Sequence, residues 1–164
     1  MRVIYRLAAP GDQDFLWEML DQAVYVPPGE PAPGRDILRL PEIARYAENW
    51  GQPGDLGLVA AAEDGQPLGA AWLRPLTGAN RGYGYVADVY PELCMALLPD
   101  FRGQGIGEPL LKHLLDLAKT RWRGVSLSVQ RPNPAEKLYR RLGFVALEQH
   151  GDSITMLLRF SPSG

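Results

Sequence analysis

The sequence predicts a mixed α+β fold, with a largely antiparallel sheet and helices on both faces, formed as one domain over residues 1–164. Three observations predict it. Residues 56–63 and 67–73 are apolar runs joined by Asp64-Gly65, a pair suited to a tight hairpin. Residues 93–98, 105–121 and 125–129 read as strand, amphipathic helix and strand, a unit that sets its two strands parallel. Residues 144–149 and 153–159 are apolar-rich segments that turn through His150-Gly151-Asp152, a second antiparallel pair. Only the strands around residues 95 and 127 should run parallel.

The remaining elements follow in chain order. Val3 to Leu7 is a short first strand. Pro10-Gly11-Asp12 starts a helix with Phe15, Leu16, Met19, Leu20 and Ala23 on one face. Residues 26–34 hold four prolines and two glycines, which remove donors and break any period, so they form a loop. A short helix is expected over 41–49. Residues 78–90 are a Gly/Tyr-rich connection into the central strand. The helix after that strand should run through Arg121, with Lys119, Arg121 and Arg123 at the negative end of its dipole and Gly124 as its stop. A further helix over 134–142 ends at Gly143.

Composition excludes several function classes. A net charge of −2 argues against a general nucleic-acid or membrane-surface binder. No apolar run approaches the roughly 20 residues of a membrane span. Residues 1–6 lack the apolar centre of a signal peptide, and the expected location is cytoplasmic. Cys94 is the single cysteine, so neither an internal disulfide nor a cysteine-based metal site is expected, and no metal ligands are assigned. The charge is uneven: residues 1–90 carry −5 and residues 91–164 carry +3. An anionic cofactor would suit the second half.

That half contains the most informative stretch. An apolar strand ends at Pro99, and Arg102-Gly103-Gln104-Gly105-Ile106-Gly107 leads into a helix. Glycines let a backbone approach an anion, and a helix N-terminus offers unpaired N–H groups with positive partial charge. Glu108-Pro109 follows Gly107, so the Gly-Lys-Ser/Thr of a P-loop is missing. A dinucleotide fingerprint fails as well: the glycines are spaced G-x-G-x-G, and the next strand ends in Gln130-Arg131 rather than an acid. The spacing Arg102-x-x-Gly105-x-Gly107 resembles instead the acyl-CoA loop of the GNAT superfamily of N-acetyltransferases. Asn133-Pro134-Ala135-Glu136-Lys137-Leu138-Tyr139-Arg140-Arg141-Leu142-Gly143-Phe144 is similar to a second signature of that family, about 30 residues downstream. The resemblance spans roughly residues 55–150.

The resemblance implies an acetyl-CoA donor and direct transfer to an amine of a small molecule, a peptide N-terminus or a lysine. It implies a sheet splayed at its centre, with the pantetheine arm adding to the edge of strand 93–98. A backbone N–H of Met95, Ala96 or Leu97 would meet the thioester carbonyl and stabilise an oxyanion. The pyrophosphate would lie on the N–H groups of Gly103, Gln104, Gly105, Ile106 and Gly107, beside Arg102. Glu108 departs from the family pattern and is expected to point outward. Asn133 would cap its helix and contact pantetheine.

Tyr139 is the implied general acid for the departing thiolate. A thiol near ~8.5 against a phenol near ~10 makes that transfer uphill by roughly 2 kcal/mol, so the tyrosine must be tuned or must mainly hydrogen-bond the sulfur. Glu92 is the implied base, acting directly or through water, with Asp88 as the second choice. Cys94 is expected to pack, since direct transfer needs no nucleophile. The Pro-rich loop would border the acceptor, and a homodimer fits the reading. The alternative is a catalytically silent acyl-CoA-binding regulatory domain of the same fold.

Overall fold

The computed structural model describes residues 2–23 and 34–161. Seven strands form one sheet in the order β1-β2-β3-β4-β5-β7-β6. They are β1 (Val3–Leu7), β2 (Leu56–Ala62), β3 (Pro67–Arg74), β4 (Glu92–Leu97), β5 (Gly124–Gln130), β6 (Val145–His150) and β7 (Ser153–Arg159). The helices are α1 (Gln13–Ala23), α2 (Pro41–Ala44), α3 (Gly107–Ala118) and α4 (Ala135–Arg141).

Every neighbouring pair of strands is antiparallel except β4 and β5. The Asp64-Gly65 hairpin forms as expected, with Asp64 accepting from the Gln66 N–H at 2.9 Å and Gly65 at a φ of 93°. Apolar alternation splits the core in two. Leu110, Leu111, Leu114 and Leu115 of α3, with Tyr139 of α4, pack on the face carrying Leu58, Leu73, Leu93 and Leu127. Leu16, Met19 and Leu20 of α1, with Tyr46 and Trp50, pack on the face carrying Val59, Ala70, Trp72 and Ala96. The strand β4 divides as its period of two requires: Met95 and Leu97 join the first cluster, Cys94 and Leu98 the second.

Three boundaries differ from the sequence reading. The helix expected through Arg121 ends at Ala118; the chain closes into a turn, in which Thr120 Oγ1 caps the Leu117 carbonyl at 2.7 Å, and Gly124 opens β5 instead of stopping the helix. The helix expected over 41–49 is one turn of α2 followed by turns. The first helix begins as a 3-10 turn at Pro10–Asp12, where Asp12 pairs with Arg6 and accepts the Ala9 N–H at 2.7 Å. The proline-rich stretch 26–34 lies outside the described residues except for Gly34.

Candidate active site

The gap between β4 and β5 positions the site. The two strands share a single register pair, Glu92 with Ser126, beside which the Ser126 N–H donates to the Pro91 carbonyl at 3.0 Å. Beyond that rung they part. On its other edge β4 is fully paired with β3, from Gly69–Leu97 to Arg74–Glu92. The Leu98 N–H donates to Leu68 at 2.9 Å, and antiparallel ladders alternate their bonds, so Ala96 also turns its N–H toward β3. The N–H groups of Met95 and Leu97 therefore face the gap. The Leu97 carbonyl accepts from Arg102 Nε at 3.2 Å.

The glycine loop lies at the far end of β4. Gly103 and Gly105 have φ of 73° and 77°, the left-handed region that suits glycine. A Cβ built on either would meet no heavy atom within 4 Å. Among the described residues, no recorded hydrogen bond uses the N–H of Gly103, Gln104, Gly105, Ile106 or Gly107 as donor, and α3 has no side-chain cap. These donors are unclaimed, at the positive end of a 12-residue helix. Arg102 stands beside them, but its guanidinium is engaged: Nη2 donates to Gln22 of α1 at 2.9 Å. It ties α1 to the end of β4. Glu108 pairs with Arg141 at 2.6 Å and with Lys112 at 3.7 Å. The Arg141 hydrogen bond holds its carboxyl below the usual range. Its charge is answered on the α4 side.

The segment from Asn133 through α4 carries Tyr139 into the core cluster shared by α3 and β4. Asn133 Oδ1 accepts the Ala135 N–H at 2.9 Å, one residue ahead of Pro134, the N-cap of α4. Arg131 and Arg140 clamp Glu136 at 2.8 Å each and hold its carboxyl down to about 2. The Tyr139 ring packs against Phe144, with centroids 5.7 Å apart. Burial raises its hydroxyl pKa, and Cys94 of β4 adds to the shift. Burial likewise pushes the Cys94 thiol up to about 12.

Glu92 is 1% exposed. Oε1 accepts from the Tyr46 hydroxyl and the Gly84 N–H, and Oε2 from the Gly82 N–H, each at 2.8 Å. Burial still outweighs these donors and raises its pKa. Asp88, the second choice, is exposed and accepts from the Tyr85 hydroxyl at 2.6 Å. The segment that reaches Glu92 needs both its glycines. A Cβ on Gly82 would stand 2.2 Å from Tyr46 Oη and 2.5 Å from Glu92 Oε1; one on Gly84 would stand 2.5 Å from the Leu127 carbonyl carbon.

The sequence matches the acetyltransferase (GNAT) family over residues 17–144. The chain belongs to the GNAT acetyltransferase family. No curated protein matches this GNAT acetyltransferase. Among solved structures it is similar to YncA from Salmonella typhimurium with its cofactor acetyl-CoA, at 20% identity and a TM-score of 0.71, covering 100% of this chain and 97% of that one. It is similar to a GNAT superfamily phosphinothricin acetyltransferase from Sinorhizobium meliloti in complex with acetyl-CoA, at 23% identity, TM-score 0.67, and coverage of 97% and 89%. A ribosomal-protein-alanine N-acetyltransferase from Brucella melitensis is similar at 22% identity, TM-score 0.66, and coverage of 96% and 99%. At these identities the likeness speaks to the fold.

In this GNAT acetyltransferase the geometry gathers most of the residues singled out from sequence. Met95 and Leu97 border the gap with their N–H groups, whereas the Ala96 N–H, expected as a third candidate, is turned to β3; Gly103 to Gly107 follow the far end of β4, Asn133 precedes α4 and Tyr139 lies on it. Glu92 sits at the closed end. Sequence reasoning missed what surrounds Glu92. Tyr46 lies in the segment 41–49, expected as a short helix, and Gly82 and Gly84 in the Gly/Tyr-rich connection 78–90, and none of the three was singled out. Arg74 was missed too, although a lone cation closing the apolar run 67–73 was a readable signal. Its buried guanidinium pairs with Asp55 at 3.1 Å and caps the Arg45 and Glu48 carbonyls at 3.1 and 2.6 Å. It fixes the turn carrying Tyr46.

Gly84→Ala tests this packing. The added methyl would meet backbone on β5, at Leu127 and at Ser128 N (2.7 Å), which cannot swing aside. The expected result is a loss of about 1–3 kcal/mol in thermal or urea unfolding, the usual cost of overpacking. A variant as stable as the parent would show that the 82–84 loop is free to shift.

Proposed function

We propose that this GNAT acetyltransferase moves the acetyl group of acetyl-CoA directly to the amine of a small molecule or a peptide. One observation carries the reading: an open strand edge, with the Met95 and Leu97 N–H groups turned to the gap, leads straight to a loop of unclaimed N–H donors at a helix N-terminus. An extended amide-bearing arm ending in a pyrophosphate has that shape and polarity.

Acetyl-CoA supplies the activated acetyl thioester. In this reading the Gly103 to Gly107 amides hold the pyrophosphate, with Arg102 adding long-range attraction while it braces α1 against β4. The Met95 or Leu97 N–H polarises the carbonyl. Asn133 keeps α4 in register, so that Tyr139 meets the sulfur. Glu92 takes the amine proton, through water: strand rise sets it roughly 10 Å from Met95 along β4. Its raised pKa makes it a stronger base than an ordinary carboxylate.

The Tyr139 hydroxyl is harder to ionise than a free phenol, but a thiolate leaving in the same desolvated cleft is also a stronger base. The mismatch of roughly 2 kcal/mol in water thus need not persist. Tyr139→Phe keeps the ring and removes the hydroxyl. The expected result is a fall in kcat of about 10–10³-fold with CoA affinity nearly unchanged, measured by steady-state kinetics and calorimetry. Parent-like kinetics would make Tyr139 a packing residue.

The function itself is tested by thiol release from acetyl-CoA over an amine panel. Phosphinothricin, a peptide beginning with alanine and a lysine peptide sample the acceptor classes. Amine-dependent release supports the transferase. Tight CoA binding with no release against any amine supports the silent binder instead.

A further inference from the structure

We propose that Tyr46 is a positioning residue for Glu92, fixing the carboxylate so that one lone pair, on Oε2, remains to receive a proton. The proposal rests on the reading of Glu92 as the base. A carboxylate offers about four acceptor directions. Three are filled, by the Tyr46 hydroxyl, the Gly84 N–H and the Gly82 N–H, all at 2.8 Å. Oε1 takes two of them and Oε2 one.

The tyrosine is itself held from every side. Its oxygen accepts the Tyr83 N–H at 2.7 Å, which turns the hydroxyl proton to Glu92. Its own carbonyl accepts from Trp72 Nε1 at 2.7 Å. The adjacent carbonyls of Arg45 and Glu48 are fixed by Arg74, which the Asp55 carboxylate grips with two hydrogen bonds of 3.1 Å. Arg45 donates to the Arg81 carbonyl and so anchors the start of the same loop. A rigid chain of contacts runs from the β3 ion pair through Tyr46 to Glu92 and on to the 82–84 loop. The hydroxyl is the link that one side-chain substitution removes: Tyr46→Phe takes away the donor to Glu92 together with the acceptor of the Tyr83 N–H.

The groups that act on Glu92 are few. Tyr46 and Arg45 come from the segment after α2, the Gly82 and Gly84 N–H groups from the loop, and Cys94 from β4 itself. Arg74 is its register partner on β3 but is committed to Asp55, and Ser126 of β5, its other register partner, is uncharged. Removing the Tyr46 hydroxyl therefore removes a donor that favours the ionised carboxylate, while the Arg45 charge, which already acts on Glu92 and donates to the Pro41 and Arg81 carbonyls, stays as it is.

The test is a carbon-13 titration of the full chain labelled at its glutamate carboxyls, with the Glu92 signal assigned by its loss in Glu92→Gln. In Tyr46→Phe the Glu92 midpoint should rise by about one pH unit, a tenfold gain in proton affinity. Replacing Tyr46 with 3-fluorotyrosine, a stronger donor of nearly the same size, should lower the midpoint. The thermal melt of either variant should stay within a few degrees of the parent. A Glu92 midpoint that is unmoved or falls in folded Tyr46→Phe, or one that is unmoved or rises with 3-fluorotyrosine, overturns the proposal. Parent-like turnover in Glu92→Gln would instead remove the base reading and leave the titration result standing, so the two failures are told apart.

Discussion

Glu92→Gln is expected to lower kcat about 10²–10⁴-fold, the span usual for a lost general base. The neutral amide keeps the volume and one acceptor oxygen, so CoA affinity should hold, because the loop proposed to bind it lies at the other end of β4. The parent should lose kcat/KM as pH falls through the Glu92 pKa, and burial puts that limb above the ordinary glutamate value of about 4.3. The sign follows from the charge: a base must be ionised to act, and burial makes ionisation harder. The variant should lack this limb. Calorimetry with CoA and a pH series of thiol release check both statements. An unchanged rate and profile would move the role to Asp88 or to bulk water.

Gly105→Val is expected to abolish CoA binding while the protein stays folded. Valine at a φ of 77° costs about 1–2 kcal/mol in backbone strain, tolerable in an exposed loop with nothing packed against it. Its side chain would fill the open space in front of the unclaimed amides. The measurement is calorimetric titration with CoA beside a thermal melt. Normal binding by a folded Gly105→Val protein would show that the anion sits elsewhere.

Local chemistry was legible in the sequence, and contacts between distant segments were not. The glycines at 103 and 105, the Asp64-Gly65 turn and the alternation of β4 each follow from neighbours a few residues away. The parallel pairing of β4 with β5 follows from the helix between them. Helix ends were less legible. Lys119, Arg121 and Arg123 suggested a longer α3, but the Thr120 hydroxyl claims the Leu117 carbonyl and turns the chain earlier. The environment of Glu92 was the least legible. It depends on Tyr46, 46 positions away, and on an Arg74–Asp55 pair whose partners look like ordinary surface charges until the turn 45–49 is folded over them. Gly82 and Gly84 carry no local sign that a carboxylate and a β5 backbone stand where their side chains would be.

The single rung between Glu92 and Ser126 makes the sheet two leaves joined at one end. The leaf β1–β4 and the leaf β5–β7 share that rung and no other backbone pairing, and past it the edges face each other with their amides unspent. A molecule that enters as an extended amide arm would supply rungs the protein lacks, so it would serve as mechanical stiffener as well as reagent. Its departure would return the sheet to one backbone rung, with the leaves otherwise bridged by the side chains packed under α3.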